Sequence, residues 1–215
     1  ICINSYNTVL SSLFIALRGA NNDGHDFIND AISSGANSVI CESLPQDIDD
    51  RITYILVEDS SSALSVISSN FFQNPSSKIK LIGITGTNGK TSTTYYLASL
   101  FRKLNYKVGL ISTIENQIDS LTYSSTHTTP NAIVLNELLS QMVKAGCDYC
   151  FMEVSSHSIS QKRIMGLDFD VAVFTNISRD HLDYHITFDN YLNTKKKFFN
   201  NLSSQATSII NIDDA

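Results

Sequence analysis

From residue 80 onward, short β-branched apolar runs alternate with longer stretches whose apolar residues recur at helical spacing, and few folds accept that alternation. The runs at 80–85, 108–111, 149–154, 171–175 and 208–212 read as strands. The stretches at 90–104 and 132–144, the second closed by Gly146, read as helices. Strands that are apolar nearly throughout must be covered on both faces. The expected architecture is therefore α/β, a P-loop-type, doubly wound and mostly parallel sheet. Ligands of such sheets lie beyond the carboxyl ends of the strands. Polar clusters fall at those ends here, at 86–91, 153–157 and 176–185.

A smaller α/β pattern precedes it. Runs at 13–17, 38–41 and 55–57 read as strands, and Phe27, Ala31 and Ile32 fit one face of a short helix ending near Gly35. Ala63, Leu64, Ile67 and Phe71 form a second helical stripe. The polar stretch Asn74-Pro75-Ser76-Ser77-Lys78 reads as a linker, which gives domains over 1–75 and 78–215. A length of 215 residues, 42% of them hydrophobic, has room for both.

Charge and cysteine content narrow the function classes. A net charge of -6 argues against binding a nucleic-acid backbone, which needs clustered Lys and Arg. No run of about 18 apolar residues is present to insert in a membrane. No basic start precedes an apolar core, so no secretory signal is read, and Ile1 in place of Met reads as a trimmed start. Cys147 and Cys150 have a metal or redox spacing but no second pair, and they lead into an apolar strand where cysteine acts as a small hydrophobe. The expected compartment is the cytoplasm.

Gly86-Thr87-Asn88-Gly89-Lys90-Thr91 follows a strand and opens a helix, which is the context a phosphate loop requires. Its glycines let backbone N–H groups turn toward phosphate oxygens, and the helix adds its positive end. Lys90 supplies a point charge for the β and γ phosphates, and the Thr91 hydroxyl suits Mg²⁺. The strict pattern would place its first glycine at Ile84, so this is a variant loop. Glu153, at the end of a neighbouring strand, suits a second Mg²⁺ contact. Pairing with a lysine is its bland alternative. His181 lies among Asp180, Asp183 and His185, which suit either metal ligation or the orientation of a ligand. By composition alone, Lys195-Lys196-Lys197 is a solvated face.

The variant loop resembles that of the Mur ligase family, which shares it with folylpolyglutamate and cyanophycin synthetases. The segments Thr128-Thr129-Pro130, Met152-Glu153-Val154-Ser155-Ser156-His157 and Asn176-Ile177-Ser178-Arg179-Asp180-His181-Leu182-Asp183-Tyr184-His185 narrow the resemblance. They point to the type that adds a third amino acid to UDP-N-acetylmuramoyl-L-alanyl-D-glutamate. Leu13-Phe14-Ile15-Ala16 and Asp23-Gly24-His25-Asp26-Phe27-Ile28 resemble the family's UDP-binding domain, although Asn4-Ser5-Tyr6 departs from its usual Asp-Ser-Arg.

The resemblance implies an ATP-dependent amide ligase of peptidoglycan precursor synthesis, working through an acyl phosphate. It adds meso-diaminopimelate or, failing that, L-lysine. It implies ATP contacts along the loop through Ser92, two Mg²⁺ sites drawing on Thr91, Glu153 and His181, and a carbamylated lysine as a further metal ligand, Lys195 in preference to its neighbours Lys196 and Lys197. Lys90, Glu153, His181 and Lys195 are the catalytic set so implied. For the UDP-muramoyl-dipeptide it implies Ser5, Ala20, Asn21 and Asn22 near the uridine. His127, Thr128, Thr129, Ser155, Gln161 and Arg163 are implied near the muramoyl-dipeptide, while His157 stays open between a structural and a contacting role. The stretch Asn211-Ile212-Asp213-Asp214 resembles one shortly before the end of the family's central domain. A carboxyl-terminal domain is therefore expected to be absent, and the chain alone is expected to bind nucleotide weakly and ligate poorly. The competing readings are a folylpolyglutamate-type ligase and a non-catalytic nucleotide-binding remnant.

Overall fold

The computed structural model describes residues 1–19 and 22–214. They form two compact units, one from Ile1 to Ser68 and the other from Ser69 onward. In the first, strands β1 (Ser12–Ile15), β2 (Ala36–Cys41) and β3 (Thr53–Leu56) make a parallel sheet in that order, with helix α1 (Ile28–Ser33) between β1 and β2. Phe14, Ala16, Ile28, Ala31, Val39 and Cys41 form its core. His25 is held at both ring nitrogens: Nδ1 lies 2.6 Å from Asp23 Oδ1, and Nε2 accepts from the Glu42 N–H at 2.8 Å. That part of the Asp23–Ile28 motif braces the unit from within.

Helix α2 (Ser60–Phe71) carries the chain out of the first unit. The sequence suggested a linker at 74–78, yet the units divide at Ser68/Ser69, inside α2. The physical reason is that Pro75–Lys78 is a 3₁₀ turn of the second unit, with Pro75 and Ser76 buried.

The second unit contains β4 (Lys80–Thr85), α3 (Lys90–Lys103), β5 (Val108–Ile111), β6 (Glu115–Ile118) and β7 (Leu121–Ser124), then α4 (Ala132–Lys144), β8 (Tyr149–Glu153) and α5 (Ser156–Ser160). It closes with β9 (Val171–Phe174), α6 (Leu182–His185), α7 (Phe188–Asn200) and β10 (Thr207–Ile210). The sheet order is β10-β9-β4-β8-β5-β6-β7, parallel except that β6 pairs antiparallel with both β5 and β7. Alternate side chains of its central strands feed two cores. Ile82, Ile84, Leu110 and Phe151 pack under Ala98 of α3. Leu81, Ile111, Cys150 and Met152 pack under Leu135, Leu139 and Met142 of α4 and Phe198 of α7. Covering on both faces explains the continuous apolar runs. Each fully buried Leu or Ile contributes about 1.5–3 kcal/mol.

The antiparallel β6–β7 hairpin carried no clear signal, because β6 is polar in three of its four residues and β7 is exposed throughout. Cys147 and Cys150 are buried free thiols whose pKa burial pushes up, so they pack as small apolar groups. Among the described residues, no helix is long and apolar enough to cross a membrane.

Candidate active site

From β4 the chain runs out to β5–β8 on one side and then to β9 and β10 on the other, so the sheet reverses direction beside β4. The carboxyl edge at such a reversal is open, and the Gly86–Gly89 turn sits there. Gly86 has φ +151°, and a Cβ added to it would run into Thr175 Oγ1. Gly89, at φ +84°, is the N-cap of α3 and leaves its first turn without a side-chain cap. The free amides at that helix end therefore face the crevice. Asn176 holds the turn from the opposite side, accepting from the Thr87 N–H through its carbonyl and from the Asn88 N–H through Oδ1, each at 2.9 Å. Lys90 Nζ donates to Gly86 O at 2.9 Å and Thr87 O at 2.8 Å. Burial lowers its pKa, against the pull of Glu153 and Asp180.

Glu153 ends β8 and is 1% exposed, yet the groups that hydrogen-bond its carboxylate are neutral. Thr91 Oγ1 donates to Oε2 at 2.9 Å and the Thr113 N–H donates to Oε1 at 2.8 Å. Thr113 Oγ1 lies 3.2 Å from Oε2 and 3.0 Å from Thr128 Oγ1. Thr113 Oγ1 is the donor toward both oxygens, and its one proton serves the carboxylate or Thr128 at a time. A buried carboxylate held only by neutral donors, with a threonine hydroxyl alongside, fits a hard divalent cation by charge and donor type. The lysine-paired alternative for Glu153 is not what the structure shows.

Lys195 overturns the solvated-face reading of its run. It is 2% exposed, whereas Lys196 and Lys197 face solvent. Its Nζ donates to Gly86 O at 2.9 Å and to Thr85 Oγ1 at 3.3 Å, so Lys90 and Lys195 share one loop carbonyl. Burial, with the Lys90 charge adding to it, brings its pKa down to about 7.

His181, the N-cap residue of α6 at φ 51°, stands half-exposed with Nε2 at 3.5 Å from Asp180 Oδ2. Its ring lies 4.9 Å from that of His157, which also contacts Tyr184 at 4.3 Å and His185 at 5.8 Å. Burial lowers the pKa of His157 and of His185, so both rings favour the neutral form. Among the described residues, no three His, Cys, Asp or Glu side chains gather to hold a metal by themselves.

Lys90, Thr91, Thr113, Glu153, His181 and Lys195 line one crevice of about 510 Å³, together with His127, Thr128, Thr129, Ser155 and Arg163. The hydroxyls there are partly engaged. Thr129 Oγ1 donates to Glu153 O at 2.7 Å and accepts from the Ser155 N–H at 3.1 Å, while Ser155 Oγ caps α5. Arg163 donates to Thr129 O at 2.7 Å and twice to Gln161 Oε1, at 3.0 and 2.6 Å. Gln161 thus braces Arg163 and does not itself line the crevice. Ser5 is buried in the first unit and Asn22 is exposed there. Ala20 and Asn21 lie outside the described residues. The sequence reading missed Thr113, whose signal was its place just past the end of β5, and Tyr191, which sits one helical turn before Lys195.

Residues 84–215 match the Mur ligase middle domain, and residues 1–80 match the Mur ligase family, catalytic domain. The chain is 54% identical over 215 residues to a UDP-N-acetylmuramoyl-L-alanyl-D-glutamate–2,6-diaminopimelate ligase of Cytophaga hutchinsonii, covering 100% of this chain and 44% of that protein. It is 51% identical over 212 residues to the Bacteroides thetaiotaomicron ligase of the same name, covering 99% and 44%. A solved structure of a ligase so named superposes with a TM-score of 0.82 at 28% identity, over 100% of this chain and 43% of that one. The chain thus spans less than half the length of the relatives it matches.

Proposed function

The chain belongs to the Mur ligase family, and we propose that it carries the nucleotide-binding part of an ATP-dependent ligase that adds meso-diaminopimelate, in preference to L-lysine, to UDP-N-acetylmuramoyl-L-alanyl-D-glutamate. Such a reaction belongs to peptidoglycan precursor synthesis in the cytoplasm. The observation that carries the reading is Glu153, a buried carboxylate bonded to the Thr91 hydroxyl at 2.9 Å beside a lysine-bearing glycine turn. The names of the close relatives supply the substrate class.

The γ-phosphoryl of ATP passes to the D-glutamate side-chain carboxylate, the incoming amine opens the acyl phosphate, and phosphate leaves. Two anions must meet, so positioning and charge neutralisation dominate. The uncapped amides of α3 and the Lys90 ammonium receive the phosphates. Thr91 and Glu153 would hold Mg²⁺, which supplies neutralisation of the transferring oxygens. His181 and Lys195, the latter as a carbamate, are the candidates for a second ion. The pKa of Lys195, about 7, leaves much of its amine uncharged near neutrality, the form that takes up carbon dioxide. Arg163 and Thr128 face the dipeptide end, where a guanidinium suits a carboxylate.

The test is phosphate release by the intact gene product with ATP and Mg²⁺, with the UDP-dipeptide or a folate as acceptor and each amino acid in turn. Release dependent on diaminopimelate is expected. Release dependent on folate and glutamate would transfer the chain to the folylpolyglutamate class. No release with any combination would leave a nucleotide-binding remnant.

A further inference from the structure

Helix α7 buries Tyr191, Thr194, Lys195 and Phe198 along one face, and Tyr191, 1% exposed, is among the largest fully buried side chains of the protein. Its hydroxyl lies 3.0 Å from Thr87 Oγ1. Thr87 Oγ1 also accepts from the Ser178 N–H at 2.9 Å and donates to Ser178 O at 3.2 Å, so its one proton is committed and Tyr191 is the donor. A buried phenol needs such a partner. The ring face of the same tyrosine carries Lys195 Nζ at 4.8 Å from its centroid. Lys195 in turn holds Gly86 O at 2.9 Å. Two residues one turn apart on a rigid helix therefore grip two consecutive residues of the glycine turn, and Tyr191 touches both Thr87 and Lys195.

We propose that Tyr191 is a positioning residue that sets the phosphate turn and Lys195 in register, through its hydroxyl on the turn and its ring face on the lysine. A core tyrosine that merely filled space would leave these two contacts uncoupled from nucleotide binding. The inference rests on the crevice being the nucleotide site proposed above. The hydroxyl and the ring face are separable by substitution, since Tyr191→Phe removes the first alone and Tyr191→Leu removes both.

The test uses the intact protein, with ADP and Mg²⁺ as the titrated ligand and acetic anhydride labelling of Lys195 read by mass spectrometry against exposed Lys196 and Lys197. Tyr191→Phe is expected to raise the ADP dissociation constant about fivefold, the loss of one neutral hydrogen bond. Labelling of Lys195 should then stay as in the wild type. Thr87→Val should weaken ADP as well, and the Phe/Val double variant no further than Thr87→Val alone, because both delete the same bond. Tyr191→Leu should speed Lys195 labelling severalfold. Unchanged ADP affinity in Tyr191→Phe, or additive losses in the double variant, would overturn the coupling. A wild type that fails to bind ADP would overturn the nucleotide reading instead. Labelling of Lys195 in Tyr191→Leu still judges the tyrosine in that case, and a rate equal to wild type would count against it.

Discussion

The two sides of the crevice are built by different means. The phosphate side is contiguous, running from Gly86 through Thr91, and works with backbone: a helix end without a side-chain cap and two amides tied off by Asn176. The carboxylate side is assembled from Thr91, Thr113, Thr128 and Glu153, which meet only in the fold and work through side-chain oxygens. A backbone cradle tolerates most side chains but not a change in its glycines. A hydroxyl network is vulnerable to the loss of a single oxygen. Substitutions on the two sides should accordingly differ in size and kind.

Lys90→Ala should have the largest effect, since Lys90 is the charge that the backbone cradle cannot replace. Loss of about a thousandfold in ATP-dependent phosphate release is expected. Retention of the wild-type rate would remove the phosphate side from the mechanism altogether. Glu153→Gln comes next, at about a hundredfold. It keeps the shape but removes the buried charge, so the Mg²⁺ concentration giving half-maximal rate should rise with it. An unchanged Mg²⁺ requirement would mean that the carboxylate does not face the ion.

Thr113→Val tests the network more finely. The Thr113 N–H still reaches Oε1, and Thr91 still reaches Oε2, so only one of the three donors to Glu153 is lost. A loss of about 1 kcal/mol, or fivefold in kcat/KM, is expected from one neutral hydrogen bond. A hundredfold loss would instead make Thr113 as important as the carboxylate it supports.

The same contrast explains what could be read from the sequence. The phosphate turn was legible because strand, glycines, Lys90 and Thr91 are adjacent in the chain, and the turn geometry is local. Glu153 was legible as a lone acid ending an apolar strand. Its donor Thr113 was not, because it reaches the carboxylate across the fold and belongs to no periodic pattern. The lysine run misled composition for a related reason. Lys195 sits four residues after Tyr191 and three before Phe198 on the buried face of α7, while its two neighbours point to solvent. Helical spacing separates the three lysines, whereas a count of charges does not. The β6–β7 edge was missed because a hairpin exposed along its outer strand carries little apolar signal.

The smallest effect concerns stability, and it compares Lys195 with Lys90 across their shared carbonyl. The ordinary pKa of Lys195, 10.5, falls to about 7 in the fold because burial disfavours the cation and Lys90 repels it. Below about pH 7 both the folded and unfolded states hold the proton, and the fold bears the full cost of the buried charge. Between pH 7 and 10.5 the unfolded chain keeps a proton that the folded protein has shed, so stability rises with pH through that window. The rise should be about 1 kcal/mol between pH 7 and 8 from this group. Lys195→Met keeps the stem on the Tyr191 ring but has no proton to lose, so its urea midpoint should rise less over the same interval. Equal slopes in the two proteins would show that the Lys195 ammonium is not buried against Gly86, and would leave Lys90 as the sole cation on that carbonyl.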